Sequence, residues 1–212
     1  NIVELSERVS FSEAAIAEAM SCVLNGCQQC NIRPGDSVLI IGAGPIGIMH
    51  GMLAKLSGAT RIFINDIASN RLEECRRIDP AFITVLGDPE AIIKEQTGQK
   101  GVDVVITACP VPAAQQEALE LAANYGRVCF FGGLPEDKKM VSLNSNAIHY
   151  KQLSVTGTTR ASLAQFKEVV GFLEAGVLDV SKLITRELAL EDIEKGFAYA
   201  CASDGLKNVI RM

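Results

Sequence analysis

Ser37-Val38-Leu39-Ile40-Ile41-Gly42-Ala43-Gly44-Pro45-Ile46-Gly47-Ile48 is the stretch that decides how this chain folds. An aliphatic run without a charge leads into glycines at 42, 44 and 47, and apolar residues at helical spacing continue to about Leu56. The change of period reads as a buried strand, a tight turn and a buried helix. No formally charged side chain occurs from Val38 to Ala54, close to membrane-span length. Gly42, Gly44, Pro45, Gly47 and Gly51 interrupt that run, so the strand–turn–helix reading is preferred and no membrane partner is expected.

Working outward, the alternation repeats. Strands are expected at Arg61–Asn65, Phe82–Leu86, Val102–Thr107, Arg127–Phe131 and Leu153–Thr156. Helices are expected at 69–77, 89–96, 113–124 and 163–174, and before the turn at 11–29, where Ser10 or Ser12 can cap the start. Strands alternating with helices of this length imply parallel βαβ units. The fold class is therefore α/β, a doubly wound parallel sheet of the Rossmann type. A closing strand–helix–strand, 183–186, 190–202 and 208–211, looks like a C-terminal remnant of a second domain. The expected division is 1–34 as a linker helix, 35–176 as the nucleotide-binding domain and 177–212 as part of another domain.

Gly42-Ala43-Gly44-Pro45-Ile46-Gly47 is a G-x-G-x-x-G, weak evidence alone because glycines also mark ordinary turns. Its context strengthens it: a strand before, a helix after, and Asp66 about 20 residues on at the end of the next strand. Gly42 permits the turn, Gly44 lets a pyrophosphate approach the backbone, and Gly47 lets helix and strand pack closely. Pro45 is tolerated in the first helical turn, and the helix N-terminus offers N–H groups and partial positive charge to phosphates. A carboxylate at Asp66 can accept hydrogen bonds from ribose hydroxyls but repels a 2′-phosphate, which points to NAD. Arg71 is the complication, since an Arg nearby can pair with that phosphate; otherwise it is a solvated helix residue. The competing reading is a glycine-rich turn in a flavodoxin-like fold without a dinucleotide.

The composition excludes other classes. With 48% hydrophobic and 21% charged residues and a net charge of −5, the chain is globular and lacks the basic footprint of a nucleic-acid partner. Seven cysteines, an odd number scattered among expected core segments, read as reduced buried thiols in a cytoplasmic protein. No signal peptide is read at the N-terminus. The chain opens on Asn1 rather than Met, read as processing or as a piece of a longer chain.

With these residues in view the chain resembles the medium-chain, zinc-dependent alcohol and polyol dehydrogenases, especially the sorbitol (iditol) branch. The resemblance runs from about Ser12 to Arg211. Its carriers are Ala17-Glu18-Ala19-Met20-Ser21, the Gly42–Gly47 turn, Asp66 with Arg71, Gly126-Arg127-Val128-Cys129-Phe130-Phe131-Gly132-Gly133, Ser154-Val155-Thr156-Gly157 and Lys182-Leu183-Ile184-Thr185. It implies Ile46 against the pyrophosphate, Asp66 on the ribose and Arg71 beside ribose or adenine. Phe131, Gly132 and Gly133, ending a central strand, are implied to face the nicotinamide half. Thr158, Thr159 and Arg160 follow the last sheet strand, where an Arg of the branch serves cofactor and polyol; a surface loop charge is the equal alternative for Arg160. Glu18 matches a Glu that reaches the catalytic zinc through water. Ala19 stands where the family has Pro, and Arg186 where it commonly has His.

The resemblance also implies about 130 further residues ahead of this stretch, a GroES-like domain with the zinc ligands. No metal site is therefore expected in this chain, and zinc only in the full-length enzyme. Cys22, Cys27 and Cys30 fall on an expected helix with no nearby His and read as packing thiols. His50, in the helix after the glycine turn, and His149, near a strand start, read as packing residues. The reading is the coenzyme-binding portion of an NAD-dependent oxidoreductase that transfers hydride from a polyol or secondary alcohol. This chain alone is expected to bind nucleotide without turning over alcohol. Alternatives are a zinc-independent quinone or enoyl reductase, or a non-enzymatic nucleotide-binding module. A homo-oligomer paired near Leu153–Gly157 is implied by the resemblance.

Overall fold

The computed structural model describes residues 2–212, so Asn1, with the reading of the chain start placed on it, lies outside the described residues. The chain divides into two compact units, residues 25–159 and residues 1–24 with 160–212.

The central unit holds six parallel strands: β1 (Ser37–Ile41), β2 (Arg61–Asp66), β3 (Ile83–Leu86), β4 (Val102–Thr107), β5 (Ala122–Phe130) and β6 (Ser154–Gly157). Their order is β3-β2-β1-β4-β5-β6, the doubly wound arrangement expected from the alternation. The β1–β4 pairing brings together strands distant in sequence, with Val38 opposite Val104 and Ile41 opposite Thr107. Helices α3 (Pro45–Leu56), α4 (Ser69–Ile78), α5 (Glu90–Gln96), α6 (Pro112–Leu121) and α7 (Ser145–Lys151) connect the strands. Helices α1 (Phe11–Ala14) and α2 (Ala17–Gln29) precede them.

Period-two alternation puts two apolar faces on this sheet, which explains why β1 is buried along its whole length. On one face Leu39, Ile41, Phe63, Val85, Val105 and Val128 pack with Ile93 of α5, Ala118 and Leu119 of α6 and Ala147 of α7. On the other, Gly47 and Gly51 let α3 descend onto the sheet. A Cβ at Gly51 would stand 3.1 Å from Ile64 and 3.0 Å from Phe82. The uncharged run from Val38 to Ala54 is thus a buried strand and a buried helix. Among the described residues no helix is long and apolar enough to cross a membrane.

The second unit contains α1, the start of α2, α8 (Leu163–Glu174), β7 (Ile184–Ala189), α9 (Ile193–Cys201) and β8 (Lys207–Arg211). β7 and β8 form a parallel pair. Arg186 is integral to it: its guanidinium lies 4.2 Å from the Tyr199 ring centroid and bridges Asp204 at 2.9 Å, pinning α9 beside the strands.

Several local expectations are corrected. The single helix expected over 11–29 is two, because the chain turns at Ala15–Ile16; Ser10, not Ser12, caps the first in a reciprocal capping box with Glu13. The helix expected to Asn124 ends at Leu121, and β5 begins at Ala122, turning through Tyr125 at φ +61°. β5 stops at Phe130, so Phe131 lies just beyond it, and it stands next to the sheet edge rather than centrally. His149 sits in α7 rather than near a strand start. All seven cysteines are free, but they are not uniformly buried: Cys201 is exposed.

Candidate functional site

The strand order reverses between β1 and β4, and ligands of such sheets bind outside the carboxyl ends of the strands at that point. There the chain is held backbone to backbone. The Gly42 N–H donates to the Asn65 carbonyl, Ala108 N–H to Ile41 and Gly132 N–H to Thr107, each at 2.8 Å. The contacts leave no space for side chains. Gly42 has φ +112°, and a Cβ at Gly47 would sit 1.8 Å from the Gly42 carbonyl oxygen. One at Gly132 would sit 2.7 Å from the Cys109 carbonyl oxygen.

Gly44 is different. It is the N-cap of α3 in extended backbone (φ −71°, ψ 176°), with no side-chain cap. A Cβ there would meet only the Arg71 Nη1, 3.5 Å away. The space over Gly44 is a cradle for a group that must approach the backbone. Pro45 has no N–H, and Ile46 and Gly47 precede the first intrahelical bond, from Ile48 to Gly44. The helix start therefore presents its partial positive charge to that space, beneath the Arg71 guanidinium.

Asp66 ends β2 and does work the sequence did not disclose. Its Oδ2 accepts from the Ala43 N–H at 2.7 Å and its Oδ1 from Ala68 at 2.9 Å. The carboxylate thus straps the glycine turn to the strand end, and each oxygen keeps acceptor capacity for a further donor. Buried Asn65 beside it donates to the carbonyls of Val85 and Gly87, tying β2 to the end of β3.

Phe131, Gly132 and Gly133 follow β5 on the same edge, and Gly133 faces open space. Ala108 and Cys109, at the end of β4, form the floor between Gly42 and Gly132; burial raises the Cys109 thiol pKa. Their position at the strand reversal was the available signal for these two. Thr158 turns its hydroxyl inward toward the Cys129 sulfur, and Thr159 is exposed.

Glu18 and Arg160 belong to the other unit, where they line one pocket of about 640 Å³ with Val3, Leu5, Ser21 and Phe166. Glu18 lies in the first turn of α2, and the Cys22 thiol donates to its Oε1 at 3.8 Å. Ala19, also in that turn, occupies a place where Pro too would leave the helix intact. Arg160 has φ +60°, a left-handed conformation that a non-glycine residue holds only at a cost.

A cavity of about 680 Å³ opens at the opposite, amino edge of the sheet, between α5 and the start of β5. Two of its charged side chains are already paired within the fold. Lys151 donates to the carbonyls of Leu119, Glu120 and Ala122, and Asp103 accepts from the Ser37 N–H and hydroxyl. The carboxyl edge, not this cavity, is the candidate site.

Residues 45–175 match the family model described as zinc-binding dehydrogenase. The chain belongs to that family. An L-threonine 3-dehydrogenase from Bacillus velezensis is 35% identical, the match covering 93% of this chain and 56% of that protein. A sorbitol dehydrogenase from Bacillus subtilis is 29% identical, covering 92% and 55%. The solved structure of an alcohol dehydrogenase from Thermus sp. ATN1 aligns with a TM-score of 0.90 at 26% identity, covering 99% of this chain and 61% of that one. The chain thus spans somewhat more than half the length of these zinc-binding dehydrogenase relatives. The resemblance to zinc-type alcohol and polyol dehydrogenases read from the sequence is borne out, as is the doubly wound fold.

Proposed function

We propose that the chain is the coenzyme-binding portion of an NAD-dependent, zinc-type dehydrogenase that oxidises a polyol or secondary alcohol by hydride transfer. The single observation that carries this reading is the open cradle over Gly44 at the start of α3, facing Asp66 and Arg71 on the reversal edge. The residues fit a dinucleotide. Gly44, Ile46 and Gly47 would hold the pyrophosphate with Arg71 above it, and Pro45 sets the helix start. Asp66 would accept from the ribose hydroxyls, while Phe131, Gly132, Gly133, Thr158 and Thr159 would border the nicotinamide half. When bound, the nicotinamide supplies the hydride acceptor; the protein's part is to place it and exclude water.

NAD is preferred over NADP on charge. Asp66 repels a 2′-phosphate, and the Arg71 guanidinium lies over Gly44, toward the pyrophosphate. Fluorescence titration of the chain with NADH and NADPH tests both points. NADH is expected to bind at least about tenfold more tightly, a difference of about 1.4 kcal/mol. Equal affinity, or failure of NADH to bind at millimolar concentration, overturns the reading.

Glu18 and Arg160 are proposed to act on the substrate side, since they share a pocket. Among the described residues no three His, Cys, Asp or Glu side chains are grouped to hold a metal ion. No step is assigned to zinc on these residues. Pairing of two copies along β6 is proposed from its place at the sheet edge, where Val155 is exposed. Light scattering that finds only monomer would refute it. The free thiols support a reducing, cytoplasmic setting.

A further inference from the structure

His50 is a fully buried titratable group near the candidate site, and its surroundings are particular. It lies in α3 with no solvent exposure. The edge of its ring meets the Phe131 ring, with centroids 4.5 Å apart and planes at 85°. Its Nδ1 is 3.5 Å from the Cys27 Sγ, and its Nε2 is buried without a hydrogen-bond partner. Gly26, next to Cys27 in α2, closes on the same two rings. A Cβ there would stand 2.8 Å from His50 Cε1 and 2.9 Å from Phe131 Cδ2. Burial holds the imidazole pKa down to about 3, so the ring is neutral under ordinary conditions. Its contribution is shape and an aromatic edge, not charge.

Phe131 is the first residue beyond β5, and Gly132 after it is locked to Thr107 and Cys109. The ring's grip is thus transmitted to the backbone that borders one end of the crevice.

We propose that His50 is a positioning residue for the nicotinamide end of the cofactor crevice, acting through the Phe131 ring that it and Gly26 clamp. The inference rests on the dinucleotide reading above. It predicts a selective effect: groups near Phe131 matter for the nicotinamide half, not for the adenosine and pyrophosphate half bound at Gly44 and Asp66.

The test compares NADH with ADP-ribose, which lacks the nicotinamide ring, on the full chain. His50→Leu keeps most of the volume but removes the aromatic ring contact, and Gly26→Ala pushes directly on the same two rings. Each is expected to weaken NADH about two- to tenfold, the range of an aromatic edge contact. ADP-ribose affinity should stay within about twofold on the same scale. A melting curve checks folding, and if one variant unfolds, the other decides. Equal weakening of both ligands, or no change in either, overturns the proposal, since a purely structural role gives one or the other. Wild-type protein that binds neither ligand overturns the dinucleotide reading and this inference with it. Wild-type protein that binds both, with no selective loss in a folded variant, overturns this inference alone.

Discussion

The two ends of the six-stranded sheet are held by different means. At the amino end, side chains do the tying. Ser37 donates to Asp103 through its N–H at 2.8 Å and its hydroxyl at 2.6 Å, and Arg127 bridges Asp36 at 2.9 Å. Lys151 covers the last carbonyls of α6. At the carboxyl end, the backbone of β1, β4 and β5 closes on itself through glycines, and Asp66 is the main side-chain tie to the turn. One end places its polar side chains in the fold. The other holds together with few of them and leaves a helix start, a guanidinium and spare carboxylate acceptors facing solvent. That asymmetry separates the amino-end cavity from the candidate site.

The comparison can be broken by substitution. Gly47→Ala attacks the closed backbone and should cost about 3 kcal/mol or more, because a Cβ 1.8 Å from a carbonyl oxygen cannot be absorbed. Denaturant unfolding with a parallel NADH titration should show both stability and binding lost. A near-native unfolding midpoint would contradict the geometry.

The layer behind that end should respond to pH. The folded-state pKa of His50, about 3, lies below the ordinary value of 6.5, so the unfolded chain binds the extra proton between these pH values. Stability is therefore full above about pH 6.5 and declines as pH falls toward 3, by up to about 1.4 kcal/mol per pH unit. Urea unfolding at stepped pH should show this slope, reduced in His50→Leu. An identical slope in that variant would assign the effect elsewhere.

Arg127→Ala at the amino end should cost about 2 kcal/mol, since it leaves Asp36 and the Asn31 carbonyl without their charged donor. NADH affinity should not change. Gly44→Ala is the converse. It meets only Arg71 and should shift stability by about 1 kcal/mol or less. It should weaken NADH about tenfold by filling the cradle. If Arg127→Ala weakened binding as much as Gly44→Ala, the division of labour between the ends would collapse. Lys94→Ala, at the mouth of the amino-end cavity, removes an exposed pair with Glu90. It should change stability by less than about 0.5 kcal/mol and binding not at all. A measurable binding loss there would mark the amino-end cavity as a ligand site.

Much of the fold was legible because its signals are local. The change of period at Gly42 and the apolar spacing over 163–174 lie in a few adjacent residues. What was not legible depends on contacts between distant segments. The turn at Ala15–Ile16 has no Gly or Pro to mark it and goes with the burial of Ile16 and Ala17. The early start of β5 is set by its pairing of Ala122 with Val102, after an alanine-rich stretch that suits a helix equally well. α7 has seven residues, too short for periodicity to register. The site followed the same rule. The glycine turn and Asp66 were visible as a spacing. The Cys109 floor, the strap from Asp66 to Ala43 and the clamp on Phe131 appear only when strands far apart in sequence come together.

The strap from Asp66 to the Ala43 N–H limits how this protein can change over evolutionary time or in an engineer's hands. Replacing that acid with a neutral residue is the obvious route toward a phosphorylated cofactor. Here a replacement without an acceptor, such as Ala, unties the turn proposed to receive the pyrophosphate. A switch of cofactor therefore has to remove the charge while keeping an acceptor for the Ala43 N–H, as an amide or hydroxyl side chain can. Residue 66 is thus constrained by the folding of the turn as well as by the proposed ligand.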